Sequence, residues 1–101
     1  MEEIVFHPEA RVELFDAANY YETCRPGLGQ EFLAMAEATS SFIHTRPFVG
    51  QIIRPPYRRF LIKQFPYGII YRRLRTVTYI VAIMHLKRKP GYWRLRTQKN
   101  A

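Results

Sequence analysis

Residues 77–85 read Val77-Thr78-Tyr79-Ile80-Val81-Ala82-Ile83-Met84-His85, a β-rich run whose two alternating sets of side chains are both largely apolar. Successive side chains of a strand point to opposite faces, so a run that is apolar on both sets belongs inside a sheet covered on both sides. Its apolar part, Tyr79 to Met84, is far short of the roughly 18 residues expected of a membrane-spanning helix.

The neighbours of this strand follow from the segments around it. Tyr67 to Leu74 precedes it across the short Arg75-Thr76 turn, which predicts a hairpin. Tyr57 to Gln64 is a further β-rich run without Gly or Pro, and Phe65-Pro66 turns the chain after it, so three strands form an antiparallel meander. Thr45 to Pro56, with three prolines and one glycine, reads as a loop.

Upstream, the apolar period changes from two to that of a helix. Ala10, Leu14, Ala17, Ala18 and Tyr21 share a face, Pro8 suits a first helical position, and Arg25-Pro26-Gly27 stops a helix over residues 8–23. After the Gly27-Leu28-Gly29 corner, Leu28, Phe32, Met35, Ala36, Thr39 and Ile43 share a second face, with Pro47 as terminator. So short a link makes the helices antiparallel neighbours whose common apolar face must cover a sheet. Glu3 to His7 is one more β segment, placed beside the central strand. The expected fold is α+β, a single domain over residues 1–101 in β-α-α-β-β-β order, its helical hairpin packed on one face of an antiparallel sheet. Neither repeats nor linkers interrupt it.

Hydrophobic residues at 48% and aromatics at 15% place the chain outside the range of sequences that stay disordered. The net charge of +8 conceals a sharper segregation. All eight acids lie at or before Glu37, alongside two basic residues, whereas fourteen basic residues and no acid follow from Ala38 onward. A basic half of this kind fits a polyanionic partner (nucleic acid, a ribosome or a strongly acidic protein) bound in a salt-dependent way. The plain alternative is a solvated basic surface.

The lone Cys24 and an N-terminus without a basic-then-apolar leader fit a reduced, cytoplasmic setting, with no membrane partner. His7, His44 and His85 are far apart and no acid follows Glu37, so no metal site is expected; no Gly-rich phosphate loop is present, and no cofactor is assigned. What remains is metal-free chemistry on a polyanion, or none. Cleaving RNA takes a base for the 2′-hydroxyl, cations on the developing phosphorane and an acid for the leaving oxygen. Strand alternation separates Arg58 from Arg59 and Lys63, and splits Arg72 from Arg73. A cationic face built from Arg59, Lys63, Arg72 or Arg73, His85, Arg88 and Tyr92 can serve as a catalytic site or as a docking surface. In the tail, Lys87, Arg88, Arg94 and Arg96 have no acidic neighbours in sequence and call for a partner, whereas Trp93 is expected to cap the edge of the core.

Several of these stretches resemble the RelE/ParE toxins. Arg58-Arg59-Phe60-Leu61-Ile62-Lys63-Gln64-Phe65-Pro66-Tyr67-Gly68-Ile69-Ile70-Tyr71-Arg72 is similar to their basic strand, Phe-Pro-Tyr turn and Ile-Tyr-Arg strand. Ile80 to His85, Lys87-Arg88 and Pro90-Gly91-Tyr92-Trp93 continue the similarity, as do Phe6 to Ala10, Tyr20-Tyr21-Glu22, Gly27-Leu28-Gly29 and Phe32 upstream. The resemblance implies a cytosolic bacterial toxin held inactive by a cognate antitoxin, partly disordered, often acidic and DNA-binding. It also implies one of two activities: inhibition of DNA gyrase, as in ParE-type members, or metal-independent, ribosome-dependent cleavage of mRNA, as in RelE-type members. In the second case Lys63 or His85 is the base, Arg72 and Arg88 are phosphate cations and Tyr92 is a candidate acid. If the target or nucleic acid is instead only bound, the contact set is Arg58, Arg59, Lys63, Arg72, Arg73, Lys87, Arg88, Arg94 and Arg96. Gly68 stands where the nucleases place an arginine, and His85 with the basic cluster after it looks closer to the ParE type, so gyrase inhibition is favoured. An adjacent reading frame encoding a short acidic partner is expected, and sequencing the flanking DNA checks it.

Overall fold

The computed structural model describes residues 3–97. In chain order it contains β1 (Glu3–Phe6), α1 (Pro8–Cys24), α2 (Leu28–Thr45), β2 (Gln51–Arg54), β3 (Tyr57–Leu61), β4 (Tyr67–Leu74), β5 (Val77–His85) and a 3-10 helix (Tyr92–Thr97). The strands form one sheet ordered β1-β5-β4-β3-β2, so the doubly apolar run lies between β1 and β4, as its pattern required. The architecture is the expected α+β one, with the helical hairpin on one face.

Three features differ from the sequence reading. The stretch read as a loop contains the exposed edge strand β2, in which Gln51, Ile52 and Arg54 pair antiparallel with β3. Its flanking prolines hid it, because Pro47, Pro55 and Pro56 punctuate so short a strand that no alternation is visible. Next, β1 runs parallel to β5, which makes the sheet mixed rather than purely antiparallel. Finally, β3 stops at Leu61, and Ile62 to Gln64 enter the turn, with Gln64 at φ 73°.

The helix-side core joins Ala10, Leu14, Ala17 and Ala18 of α1 to Phe32, Ala36 and Ile43 of α2, over Ile69, Tyr71, Ile80 and Ile83 of the sheet. Tyr71 is fully buried, and its hydroxyl donates to the Pro47 carbonyl at 2.9 Å while accepting from the Gly50 amide at 2.9 Å, which anchors the segment leading into β2. At the interhelical corner the Glu22 carboxylate accepts from the Gly27 and Gly29 amides at 2.9 and 3.0 Å, satisfying donors that the start of α2 would leave open. There the helices nearly touch: a Cβ on Gly29 would stand 2.5 Å from the Ala18 carbonyl oxygen.

A β-bulge interrupts the β4–β5 ladder. Ile70 opposes Ala82 and Tyr71 opposes Ile80, leaving Val81 as the extra residue. Ile80 and Ile83 consequently face the helices, while Val81, Ala82 and Met84 join Ile70 in a second cluster on the opposite face.

The Gly29 contact is with backbone and has no flexible end to give way. Gly29→Ala should therefore destabilise the protein by about 1–3 kcal/mol, seen as a melting temperature lower by on the order of 10 °C in thermal circular dichroism. A melting curve superimposable on that of the parent would contradict so close an approach.

Candidate functional site

The sheet face turned away from the helices is closed by the tail. Trp93, only 2% exposed, packs on Ile70, Val81, Ala82 and Met84, with Tyr57 and Tyr92 against the same cluster. The Tyr57 and Trp93 ring centroids are 5.2 Å apart. Trp93 thus caps the core as its size predicted.

What holds the tail there is a carboxylate that the sequence reading did not single out. β1 pairs with β5 only as far as Ile80, so the next stretch of β5 has no strand on that side. Glu13 of α1 fills the gap. Its Oε1 accepts from the Ile83 amide at 2.9 Å and from Arg96 Nη1 at 3.0 Å; its Oε2 accepts from the Tyr92 hydroxyl at 2.7 Å and from Arg96 Nη2 at 2.8 Å. Arg96 Nη1 also donates to the carbonyl of the bulged Val81 at 3.0 Å. The Glu13 and Arg96 side chains are 16% and 14% exposed, so the pair is well shielded from water. Burial, reinforced by the hydrogen bond to Glu13 and by its charge, pushes the Tyr92 phenol well above the ordinary tyrosine range. A signal for Glu13 was present: position 13 lies within the buried Ala10, Leu14, Ala17 stripe, where an acid needs a partner.

The predicted cations divide by face as strand alternation required. On the helix side, Arg58 Nη1 donates to the Phe48 and Gly50 carbonyls at 3.1 and 2.8 Å, and Arg73 Nη1 donates to the His44 carbonyl at 2.8 Å. Both brace loops. On the opposite face, the Arg59 stem lies over Gly68, whose added Cβ would meet Arg59 Cγ at 3.1 Å. The Arg72 guanidinium sits 5.8 Å from the Tyr57 ring centroid, and its Nε is buried without a hydrogen-bond partner. The Arg88 guanidinium lies 3.8 Å from the centre of the Tyr92 ring. Lys63, Lys87 and Arg94 are exposed.

The residues named for a nuclease are only partly brought together: Arg88, whose amide donates to the His85 carbonyl at 2.9 Å, stacks on Tyr92, whereas Arg72 lies apart. His85 Nδ1 accepts from the Lys87 amide at 3.0 Å, and its ring stands edge-on to Tyr67, which packs on the helix-side core. Arg72 is on the other face, five residues from Tyr67 along β4, or about 16 Å of strand. Tyr92 donates its hydroxyl proton to Glu13. Among the described residues no three His, Cys, Asp or Glu side chains could together hold a metal, and no helix is long and apolar enough to cross a membrane.

Compensation of charge is sparse. The ion pairs among the described residues are Arg25–Glu31 at 3.5 Å, exposed at the interhelical corner, and Arg96–Glu13 at 2.8 Å. Of the basic residues beyond Ala38 in the described chain, Arg96 is thus the one that meets a carboxylate, which sets it apart from the other candidates for partner contact.

Glu13→Gln leaves Arg96 shielded and without its counter-charge, so a stability loss of about 3 kcal/mol is expected in denaturant unfolding, with Trp93 fluorescence reporting release of the tail. A loss below about 0.5 kcal/mol would show that the pair contributes little. The raised Tyr92 phenol adds a pH dependence: stability is complete below about pH 10 and falls above it, because the unfolded chain ionises first. Tyr92→Phe should flatten that alkaline loss, and an unchanged slope would count against it.

Comparison with known proteins agrees with this geometry. The family model described as the ParE toxin of the type II toxin-antitoxin system, parDE, matches residues 4–90. Among solved structures, a chain of a chromosomal ParDE TA system from P. aeruginosa superimposes with a TM-score of 0.74 at 13% sequence identity, covering 86% of this chain and 98% of that one. At that identity the likeness concerns the fold. None of the curated proteins matches the chain. With the family match running from β1 to the approach of the tail, on a fold shared with a ParDE protein, this chain belongs to the ParE toxin family of type II toxin-antitoxin systems.

Proposed function

We propose that this toxin, whose partner is a cognate antitoxin, arrests growth by binding an essential complex without catalysis, and that DNA gyrase is the target. One observation supports the reading: Arg72 lies on the face opposite His85 and toward the other end of β4, and Tyr92, beneath the Arg88 guanidinium, is committed to Glu13. A phosphate held by Arg72 is out of reach of His85 across that separation, and the Tyr92 hydroxyl is already engaged.

Binding, by contrast, needs only charge presented on a firm support. Arg59, Arg88 and Arg94, with Lys63, Lys87 and Arg72 around them, carry positive charge on or beside a face made rigid by Trp93. Arginine forks favour carboxylate and phosphate oxygens, and a cationic patch steers a polyanionic complex toward itself. Gly68 fits the same reading, because it leaves the strand after the Phe65-Pro66-Tyr67 turn without a cation of its own. The Arg59 stem above Gly68 is the feature that favours the nuclease alternative, since it returns a guanidinium to that neighbourhood.

Two reactions separate the readings. Added to a gyrase supercoiling assay, the purified protein should stop supercoiling, with less effect as salt rises; added to translating ribosomes, it should leave messages intact in primer extension. Unimpaired supercoiling removes gyrase as the target, and cut messages establish the nuclease instead.

A further inference from the structure

Where the tail crosses the open face of the sheet it leaves a cleft of about 230 Å³. Arg54 from β2, Arg59 from β3 and Arg94 from the 3-10 helix rim it, over a floor that includes Ile70, Met84 and Trp93. The volume lies below the roughly 300–1,000 Å³ of small-molecule and cofactor sites, so it suits one or two side chains rather than a cofactor.

Its chemistry is one-sided. Each charged group at the rim is a guanidinium, none pairs with a carboxylate among the described residues, and no acid lines the cleft. Arg59 finds only a long contact to Gln51 Oε1 at 3.4 Å, and the Trp93 indole N–H is buried without an acceptor. Three arginines from three separate elements, and no lysine, present forks suited to paired oxygens. The floor is apolar, so the best occupant places an anionic head among the arginines and hydrocarbon beneath it. A strand of nucleic acid offers phosphate on a polar sugar and requires open aromatic faces for its bases. In this cleft the only aromatic ring, Trp93, is 2% exposed and already packed against Tyr57.

We infer that this cleft is a carboxylate site that receives an acidic residue flanked by apolar ones from an extended peptide segment of a partner protein. Arg59 and Arg94 also belong to the cationic face assigned to the target above, but the ligand proposed here is defined by the cleft itself.

Trp93 is the single tryptophan, so its indole N–H resonance reports on the floor of the cleft without ambiguity. The test is an NMR titration of the full-length protein at low salt with a capped Leu-Glu-Leu tripeptide, its Leu-Gln-Leu counterpart, inorganic phosphate and an octathymidylate. The acidic tripeptide should move the indole resonance saturably, and the Gln peptide should bind about tenfold more weakly or worse. Arg59→Gln, Arg94→Gln and the more exposed Arg54→Gln should each weaken the acidic peptide by a similar factor, with the remaining amide spectrum preserved as proof of folding. Equal response to both peptides, no response to the acidic one, or indifference to all three substitutions overturns the assignment. So does phosphate or octathymidylate binding more tightly than the peptide with the same arginine dependence, which would assign the cleft to nucleic acid. Since neither gyrase nor ribosomes enter the titration, a negative result here leaves the target reading untouched, and a negative supercoiling assay leaves this site untouched.

Discussion

The carboxylate of Glu13 is the contact on which the tail-covered face of the sheet depends. A bulge at Val81 and the early end of β1 leave a carbonyl and an amide of β5 without strand partners, and the Glu13–Arg96 pair takes up both. The same carboxylate holds the Tyr92 hydroxyl, so the 3-10 helix is fastened at two points. Trp93 lies between them and is pressed onto the sheet, where it replaces the second layer that β5, apolar on both faces, requires. One acid from the N-terminal half thereby gives the fold its second core.

That single crossing also accounts for what is left over. No carboxylate lines the cleft, so the guanidiniums of Arg54, Arg59 and Arg94 stand around an apolar floor without an ion pair among the described residues. Charges held close together repel one another and lower the stability of the isolated protein, which an anionic partner would relieve. Recognition by such a surface asks little of proton-transfer chemistry. The tyrosine and histidine that could have supplied it are engaged in structural hydrogen bonds.

Much of this was legible in the sequence, for reasons that can be named. The two-faced apolar run at 77–85 located the central strand, the helical periods between Ala10 and Ile43 located the hairpin, and simple alternation separated Arg58 from Arg59 and Arg72 from Arg73. Trp93 was readable as a cap from its size alone. What escaped depends on pairing between distant segments. β2 is four exposed residues between prolines, defined by its bonds to β3 and not by any pattern of its own. The parallel direction of β1 and the bulge at Val81 are properties of the ladder. Glu13 and Arg96 are 83 positions apart, so Arg96 read as a free cation until the fold brought its partner within 2.8 Å.

The central claim is that this protein acts through the charge it presents and not through a reaction it performs, and growth arrest on induction in bacteria tests that most directly. A His85→Gln, Tyr92→Phe double variant lacks the side chains that could transfer protons beside the tail, yet keeps Arg54, Arg59, Arg88 and Arg94. Arrest as complete as with the parent chain is the predicted result. Normal growth of cells that accumulate the folded double variant would contradict it.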